Sequence, residues 1–386
     1  MKPDLRTGAP ELSITTGPFN RFARHVHLAD ASGSLRAWRL AGIAWLPLLL
    51  DSAIRVVLGA RIDPIVLDIS VHARFLVALP LLVVAEHLLR TQCQAAVTLL
   101  HVGKVIETSE LERMVQRASR LRDNIWVELS FVAVALTGGQ LVLWGVTGPT
   151  GLFHGIEATE SSFLRFWYGG LALPLLQFLA LRWLWRWVIW TMMLVRLARL
   201  PLATIATHPD RAAGLRFLSA PVTAFATFEL AFTTILAGAW GTQLIDGRIT
   251  VPALFPTFIA FLVIVALFAL SPLVPFTPHL YRAQRRSLLV YNPFALEYVR
   301  RFQAKWIERR STTGEDVLGT PDIQSLADLD NAYQIIGETG MFVFNSRKLV
   351  ELWLAAIVPM LPLVLTVVPV EQLVRRIASG LFGGLL

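Results

Sequence analysis

Basic residues in this chain are concentrated in a few segments that alternate with long and almost uncharged stretches. Residues 1–39, 90–124, 182–216 and 279–348 hold six, six, six and ten of the 35 lysines and arginines. In membrane proteins, the loops that face the cytoplasm collect basic residues, whereas the loops on the other side contain few. The alternation therefore predicts a chain that crosses a membrane several times.

The composition agrees with this class and argues against a soluble protein. Hydrophobic residues make up 55% of the chain and charged residues only 16%, whereas about a quarter of the residues in a typical soluble domain are charged. A nucleic-acid-binding protein gathers its basic residues on one folded face, but here they are spread over separate segments. We therefore expect anionic lipid headgroups, and no nucleic acid, as their partner.

The apolar stretches predict the number of membrane-spanning helices. A helix that crosses the hydrocarbon core needs about 20 mostly apolar residues, and seven segments meet this requirement. The fold predicted is an all-α polytopic integral membrane protein. Pro359, Pro362 and Pro369 fall in the last segment, which is either a transmembrane or a re-entrant helix. The seven segments are 38–60, 70–89, 126–147, 163–190, 217–245, 249–278 and 349–370.

The basic segments also predict the orientation and the division of the chain. Because positive residues stay inside, we expect the N-terminus in the cytoplasm. The parts predicted are a cytoplasmic segment 1–37, six transmembrane helices within 38–278 with cytoplasmic helical loops at 90–124 and 191–216, a cytoplasmic helical loop at 279–348, and a last helix with the C-terminal tail at 349–386.

The loop 90–124 has the pattern of an amphipathic helix. Ser109 and Glu112 have the spacing of a capping box, and apolar residues at helical intervals follow them. Such a helix either lies on the inner leaflet with its arginines at the headgroups or docks onto a neighbouring cytoplasmic helix, and the sequence leaves both open. The apolar residues are Leu111, Met114, Val115, Ala118 and Leu121.

Two further helices are predicted in the loop 279–348. Asn292 and Pro293 suit an N-cap and a first helical position, and a second helix is expected to begin at Thr320 and Pro321, with Asp322 favourably placed in its first turn. Aromatic residues at intervals of four would form a packing stripe on the first helix. They are Phe294, Tyr298, Phe302 and Trp306.

Four blocks of the sequence resemble those of a family of uncharacterised bacterial polytopic inner-membrane proteins. The resemblance covers most of the chain from about residue 36 onward and implies a location in the bacterial inner membrane. It implies no activity. The chain departs from the family pattern at Ala213 and Arg216, where a glycine and a small residue are usual. The blocks are ARFLVALPLLVVAEHLLR (73–90), RWLWRWVIW (182–190), THPDRAAGLRFL (207–218) and LGTPDIQSLADL (318–329).

Charged residues inside predicted spans are candidates for function, because they are costly in hydrocarbon and tend to face a partner, a cavity or water. Asp51 and Arg55 are spaced so that they can pair on one helix face. Such a pair either fixes helix packing or lines an ion or proton path.

Glu229 stands about 12 residues into the span that begins at 217 and has no basic residue within one turn of its own helix. A carboxyl at this depth suits a proton relay or a cation site, and it also suits an interhelical hydrogen bond to Arg55. The hydroxyls of Thr227, Thr233 and Thr234 would either ligate a cation or bond to their own helix backbone.

Arg182 and Arg186 lie in a segment that also contains four tryptophans. Tryptophan favours the membrane interface and arginine extends toward headgroups, so we expect an anchor on the cytoplasmic side. The two arginines are one turn apart and could instead hold a phosphate or another anion. The tryptophans are Trp183, Trp185, Trp187 and Trp190.

His208, Pro209 and Asp210 match the tripeptide of J-domain cochaperones, but the soluble helical hairpin of that module has no room before the next span. We expect a helix start instead, with Pro209 first and Asp210 in the first turn. His208 and Asp210 alone are too few ligands for a structural metal site, so we expect no metal.

Taken together, these patterns predict the passage of an ion or small solute, as a channel or transporter. The alternative is a sensor or scaffold that binds a cytoplasmic protein through its helical loops. No nucleotide, metalloprotease or paired catalytic motif is present, so we expect neither an enzyme nor a cofactor. Glycines suited to close helix contacts make a homo-oligomer a further prediction. They are Gly138, Gly139, Gly169, Gly170, Gly238 and Gly241.

Overall fold

The computed structural model describes residues 33–143, 161–308 and 321–365, and within these ranges it contains helices and no strand. The first half of the described chain begins with α1, and two short helices then lead into the long helix α4. The elements are α1 Gly33–Val57, α2 Pro64–Leu67, α3 Ile69–His72, a π-helical turn Ala73–Ala78, α4 Leu79–Val102, α5 Thr108–Arg122 and α6 Ile125–Leu143.

The second half contains the longest helices and ends in a broken one. Its elements are α7 Ser162–Trp167, a π-helical turn Tyr168–Ala172, α8 Leu173–Leu197, a 3-10 turn Arg216–Ser219, α9 Val222–Ile245, α10 Val251–Leu270, a 3-10 segment Ser271–Phe276, α11 Thr277–Phe302, a π-helical turn Gln303–Glu308, α12 Pro321–Gly337, α13 Ser346–Ile357, a 3-10 turn Val358–Met360 and α14 Leu361–Leu365.

Five helical stretches of the described chain are long and apolar enough to cross a membrane, which confirms a membrane protein with several spans. They correspond to predicted segments 1, 2, 4, 5 and 6. The third predicted segment falls on α6, which is apolar but shorter over its described part, and the seventh falls on α13, the 3-10 turn and α14, with residues 366–370 outside the described ranges. The five stretches are Leu35–Val57, Ile69–Val102, Ser162–Leu197, Arg216–Ile245 and Val251–Glu308.

Helix α9 is the centre of the bundle. It packs along α3, the first π-helical turn and α4 on one side, and along α13 and α10 on the others. Gly238 permits the closest of these approaches, because a Cβ at this position would lie 2.8 Å from the Cβ of Ala73 and 3.0 Å from the Cα of Ser70. The predicted close helix contact at Gly238 is thus present within this chain.

Helix α5 docks onto its neighbours instead of exposing its apolar stripe to lipid. Leu111, Met114, Val115 and Ala118 are buried, and the helix contacts α4 and α8. The predicted capping box is wrong: the N-cap is Glu107, and the hydroxyl of Ser109 donates to the Glu107 side chain at 2.9 Å. Ser109 is therefore already inside the helix.

The predicted helix start at Asn292 and Pro293 is also wrong. Helix α11 begins at Thr277 and continues through Pro293, so this proline removes one backbone hydrogen bond from a helix interior. The side chain of Asn292 accepts a hydrogen bond from the Tyr333 hydroxyl at 2.7 Å, which ties α11 to α12. The predicted helix at Pro321 is present as α12.

Replacing Gly238 with alanine tests the close packing of α9. We expect Gly238→Ala to lower the stability of the detergent-solubilised protein by about 1–3 kcal/mol, because the added methyl group overpacks the contact with α3. Gly42→Ala is the matched control, since a Cβ there meets nothing within 4 Å. Equal thermal unfolding midpoints for the two variants would contradict the packing described here.

Candidate functional site

A cluster of charged side chains is buried where α4, α6 and α8 meet. Glu86 of α4 lies between two arginines of α8: its Oε1 is 2.5 Å from Nη1 of Arg186 and 3.5 Å from Nη2 of Arg182. Glu128 of α6 reaches Nε of Arg182 at 3.5 Å. A buried charge is tolerated only when it is paired, and these four side chains balance two positive charges with two negative ones.

This burial corrects the prediction that the Arg182 segment is an interfacial anchor. Arg182 and Arg186 are each 2% exposed, and Trp183, Trp187 and Trp190 are buried as well. The guanidinium groups therefore contact protein carboxylates, and the predicted contact with lipid headgroups or a free anion is wrong for this structure. The sequence could not show this, because Glu86 and Glu128 belong to other helices.

The buried tryptophans of α8 pack against phenylalanines of α9. The ring of Trp183 stacks on Phe228 with 4.1 Å between the centroids, and Trp187 lies 4.9 Å from Phe225. Stacked and tilted aromatic pairs add to the energy of burial. The residue after Phe228 is Glu229, so the aromatic cluster fixes the part of α9 that carries this carboxyl.

A second buried polar contact joins the first two π-helical turns, Ala73–Ala78 and Tyr168–Ala172. The guanidinium of Arg74, in the first turn, donates a hydrogen bond to the hydroxyl of Tyr168, in the second. Both side chains are fully buried. Just before Arg74, the Asp68 carboxylate accepts hydrogen bonds from the backbone N–H of Ser70 and from the hydroxyl of Thr242 of α9, both at 2.8 Å.

The first two π-helical turns have the same cause in the sequence. The last residue of each turn begins the same five-residue segment, ALPLL, at 78–82 and at 172–176. The prolines, Pro80 and Pro174, have no N–H to give to the carbonyl four residues earlier, and a π-helix pairs residues five apart instead. Arg74 and Tyr168 each lie six residues before the proline of their segment. The repeated segments therefore mark these two residues in the sequence as equivalent positions.

Glu229 is buried, and one of its carboxyl oxygens has no hydrogen-bond partner among the described residues. The residue is 3% exposed, and within the described ranges its Oε2 has no hydrogen-bond partner. The neighbouring hydroxyl of Thr233 donates to the backbone carbonyl of Glu229, at 2.7 Å, and not to the carboxyl. A buried polar atom left unpaired is costly and asks for a functional explanation.

Asp51 and Arg55 pair with each other near the end of α1. Nε of Arg55 lies 3.8 Å from Oδ2 of Asp51, which also accepts a hydrogen bond from the hydroxyl of Ser161 at 3.0 Å. Both charged side chains are partly exposed. The predicted alternative, a hydrogen bond between Arg55 and Glu229, is not formed among the described residues.

The His208–Asp210 tripeptide forms a compact loop, and the predicted helix start there is wrong. The Asp210 carboxylate accepts backbone hydrogen bonds from Ala212, Gly214 and Arg216 at 2.9–3.0 Å. These bonds hold the chain while Arg211, Ala213 and Gly214 take positive φ angles, which prevents a helix. Burial alone would raise the pKa of Asp210, but the three N–H donors outweigh it and lower the pKa.

The same loop is fastened to the segment after α12. Nε of Arg211 pairs with Oε2 of Glu338 at 2.8 Å, and the backbone carbonyl of Arg211 accepts a hydrogen bond from Gly340 at 2.9 Å. Within the described ranges, no group of three or more metal-ligating side chains is assembled here or elsewhere. The loop is therefore best described as a structural connection between two parts of the chain.

Comparison with known proteins finds no relative of this chain. No protein-family model, curated protein or solved structure matches the chain. The resemblance to bacterial inner-membrane proteins therefore stays a prediction, and the function is inferred from the residues described above.

Removing the central carboxylate of the buried cluster tests its structural role. We expect Glu86→Gln to destabilise the protein by about 3–5 kcal/mol, because two buried guanidinium groups would lose their shared partner. Glu110→Gln is the control, since Glu110 pairs with Arg113 on the surface and such pairs contribute at most about 1 kcal/mol. Similar unfolding midpoints for both variants would show that the cluster is not needed for stability.

The loop at Asp210 should stabilise the protein in a pH-dependent way. Because the folded pKa of Asp210 lies below its ordinary value of 3.8, its contribution is complete above that value and is lost as the pH falls through the folded pKa. We expect Asp210→Asn to cost about 1–3 kcal/mol at pH 7 and clearly less in acid. A difference between the variant and the wild type that is independent of pH would contradict the role of the charged carboxylate.

Proposed function

We propose that the protein lets an ion or a small solute cross the bacterial inner membrane, as a channel or transporter, with Glu229 as the group that binds it in transit. The observation that carries the proposal is the buried Glu229 carboxyl, whose Oε2 has no hydrogen-bond partner among the described residues. In membrane proteins, ionisable groups at this depth mark ion pathways and proton relays.

The proposed topology has seven crossings with the N-terminus in the cytoplasm. The five candidate spans support several crossings, because each is long and apolar enough to cross a membrane. Helix α6 would supply the third crossing and the segment from α13 onward the seventh. Helices α5, α11 and α12 would then lie on the cytoplasmic side, as the positive-inside rule predicts for the arginines of α5 and α11.

The partners of the other charged residues favour Glu229 over the remaining candidates. Asp51 is neutralised by Arg55 and also bonded to Ser161, so its charge already has a structural use. Glu86 and Glu128 are occupied by Arg182 and Arg186. Glu229 is the one carboxyl of these four for which the described residues provide no cation.

Ion flux into liposomes tests the proposal. We expect the reconstituted wild type to conduct and Glu229→Gln to lose about a hundredfold or more of the rate, the usual size of a positioned proton-binding group's contribution. Asp51→Asn is the matched control, a second carboxyl in a predicted span, and should retain most of the flux. Flux from the wild type no higher than from empty liposomes would remove the channel or transporter hypothesis.

A sensor or scaffold is the second candidate, and the hairpin of α11 and α12 favours it. The two helices are joined by the hydrogen bond from Tyr298 to the carbonyl of Asp322 at 3.0 Å and by the bond between Tyr333 and Asn292. Leu289 and Phe294 of α11, and Ile307 of the π-helical turn that follows it, are more than half exposed. Exposed apolar residues of this kind suit a protein partner.

Copurification tests this second candidate. A cytoplasmic partner that binds the hairpin should be lost when residues 311–345 are replaced by a flexible linker, while the protein still inserts in the membrane. A partner that is retained by this variant would show that α12 is not needed to bind it.

A further inference from the structure

We infer that the species carried by Glu229 is a proton and not a metal cation such as Na⁺ or K⁺. The inference rests on the proposed function, and it names the substrate of the same site. It follows from which atoms surround the carboxyl and from what a proton and a metal cation each require.

A metal cation that leaves water needs several oxygen ligands in place of its hydration shell, about six for a hard divalent ion. None of the hydroxyls nearest to Glu229 along α9 bonds to its carboxyl. Thr227 donates to the carbonyl of Thr223 at 3.0 Å, Thr233 to that of Glu229 at 2.7 Å and Thr234 to that of Leu230 at 2.7 Å. All three hydroxyls are held against the helix's own backbone, and the described parts of the chain assemble no group of three or more His, Cys, Asp or Glu side chains.

The neighbouring helices surround this part of α9 with apolar groups. On the α8 side, Trp183 stacks on Phe228. On the other side, the broken helix formed by α13 and α14 runs in the same direction as α9, because Thr223 contacts Glu351 of α13 and a Cβ at Gly241 would contact Leu363 of α14. Glu229 lies between these two contacts, and residues 352–365 carry no charge.

The buried charged groups on the helices packed against α9 are engaged elsewhere. Arg74 of the first π-helical turn bonds to Tyr168, and Glu86 of α4 is held by two arginines. At the start of α13, Nζ of Lys348 pairs with Glu351 at 2.8 Å and also contacts Thr223. Helix α10 has no charged residue over Val251–Leu270.

A proton makes a smaller demand on this site than any other cation. It needs one oxygen with a free lone pair, which Oε2 of Glu229 supplies, and it forms one O–H bond there without further ligands. A carboxyl among apolar groups also favours its neutral form. One transport event forms and breaks this single O–H bond, takes one proton from water on one side and returns one to water on the other, and changes no oxidation state.

The experiment compares proton and metal-ion flux through the full-length protein in the same liposomes. A trapped pH-sensitive dye reports proton entry under an imposed membrane potential, and Na⁺ and K⁺ gradients are followed separately at constant pH. We expect proton flux from the wild type, a loss of about a hundredfold or more in Glu229→Gln, and Na⁺ and K⁺ flux equal to that of empty liposomes. Asp51→Asn should conduct protons like the wild type.

Glu229→Asp keeps a carboxyl at the position and should therefore keep measurable proton flux. It shows whether a loss of flux in Glu229→Gln comes from the missing carboxyl or from misfolding. Na⁺ or K⁺ flux that depends on Glu229, without proton flux, would overturn the inference and leave the proposed function standing. Absence of every flux would overturn both. Proton flux that is equal in the wild type and Glu229→Gln would also overturn the inference, because the carrier would then be another group.

Discussion

The pairing of Glu86 with Arg182 and Arg186 is the interaction on which the rest of the bundle depends. Two guanidinium groups cannot be buried between helices unless a carboxylate neutralises them, so this contact sets how α4 and α8 face each other. With α8 in this orientation, Trp183 and Trp187 are directed at Phe225 and Phe228 of α9. The position of Glu229 follows from that aromatic contact.

The repeated ALPLL segments extend the same arrangement toward the other end of the helices. Each proline lies just after a π-helical turn, and these two turns meet through Arg74 and Tyr168. Gly238 then allows α9 to approach the first of these turns closely. The bundle is thus joined by the buried ionic contact of Glu86 and by the buried hydrogen bond between Arg74 and Tyr168. On α9, Glu229 lies between Phe225, which packs on Trp187, and Gly238, which packs on the first π-helical turn.

The sequence predicted the parts of the fold that depend on local pattern. The uncharged stretch at Val251–Leu270 and the other long apolar segments became long helices, because hydrophobicity over about 20 residues is a strong signal. Residues whose partners lie far away in the chain were misread: the arginines at 182 and 186 looked interfacial because the carboxylates that pair with them are on other helices. Asp210 was misread for another reason, because its donors are local but belong to a loop with positive φ angles and not to a helix. Glu229 was identified as a candidate from its depth, but only the structure shows that its nearby threonines bond to their own helix.

We propose Glu229 as a proton-binding carboxyl held in an apolar part of the bundle. Infrared spectroscopy of the protein in lipid, in light and heavy water, detects such a group through the carbonyl stretch of a protonated carboxylic acid. We expect this band near neutral pH in the wild type, shifted by deuteration and missing from Glu229→Gln, with Asp51→Asn unchanged. A spectrum of Glu229→Gln that retains the whole band, or a wild type without it, would rule out a protonated Glu229.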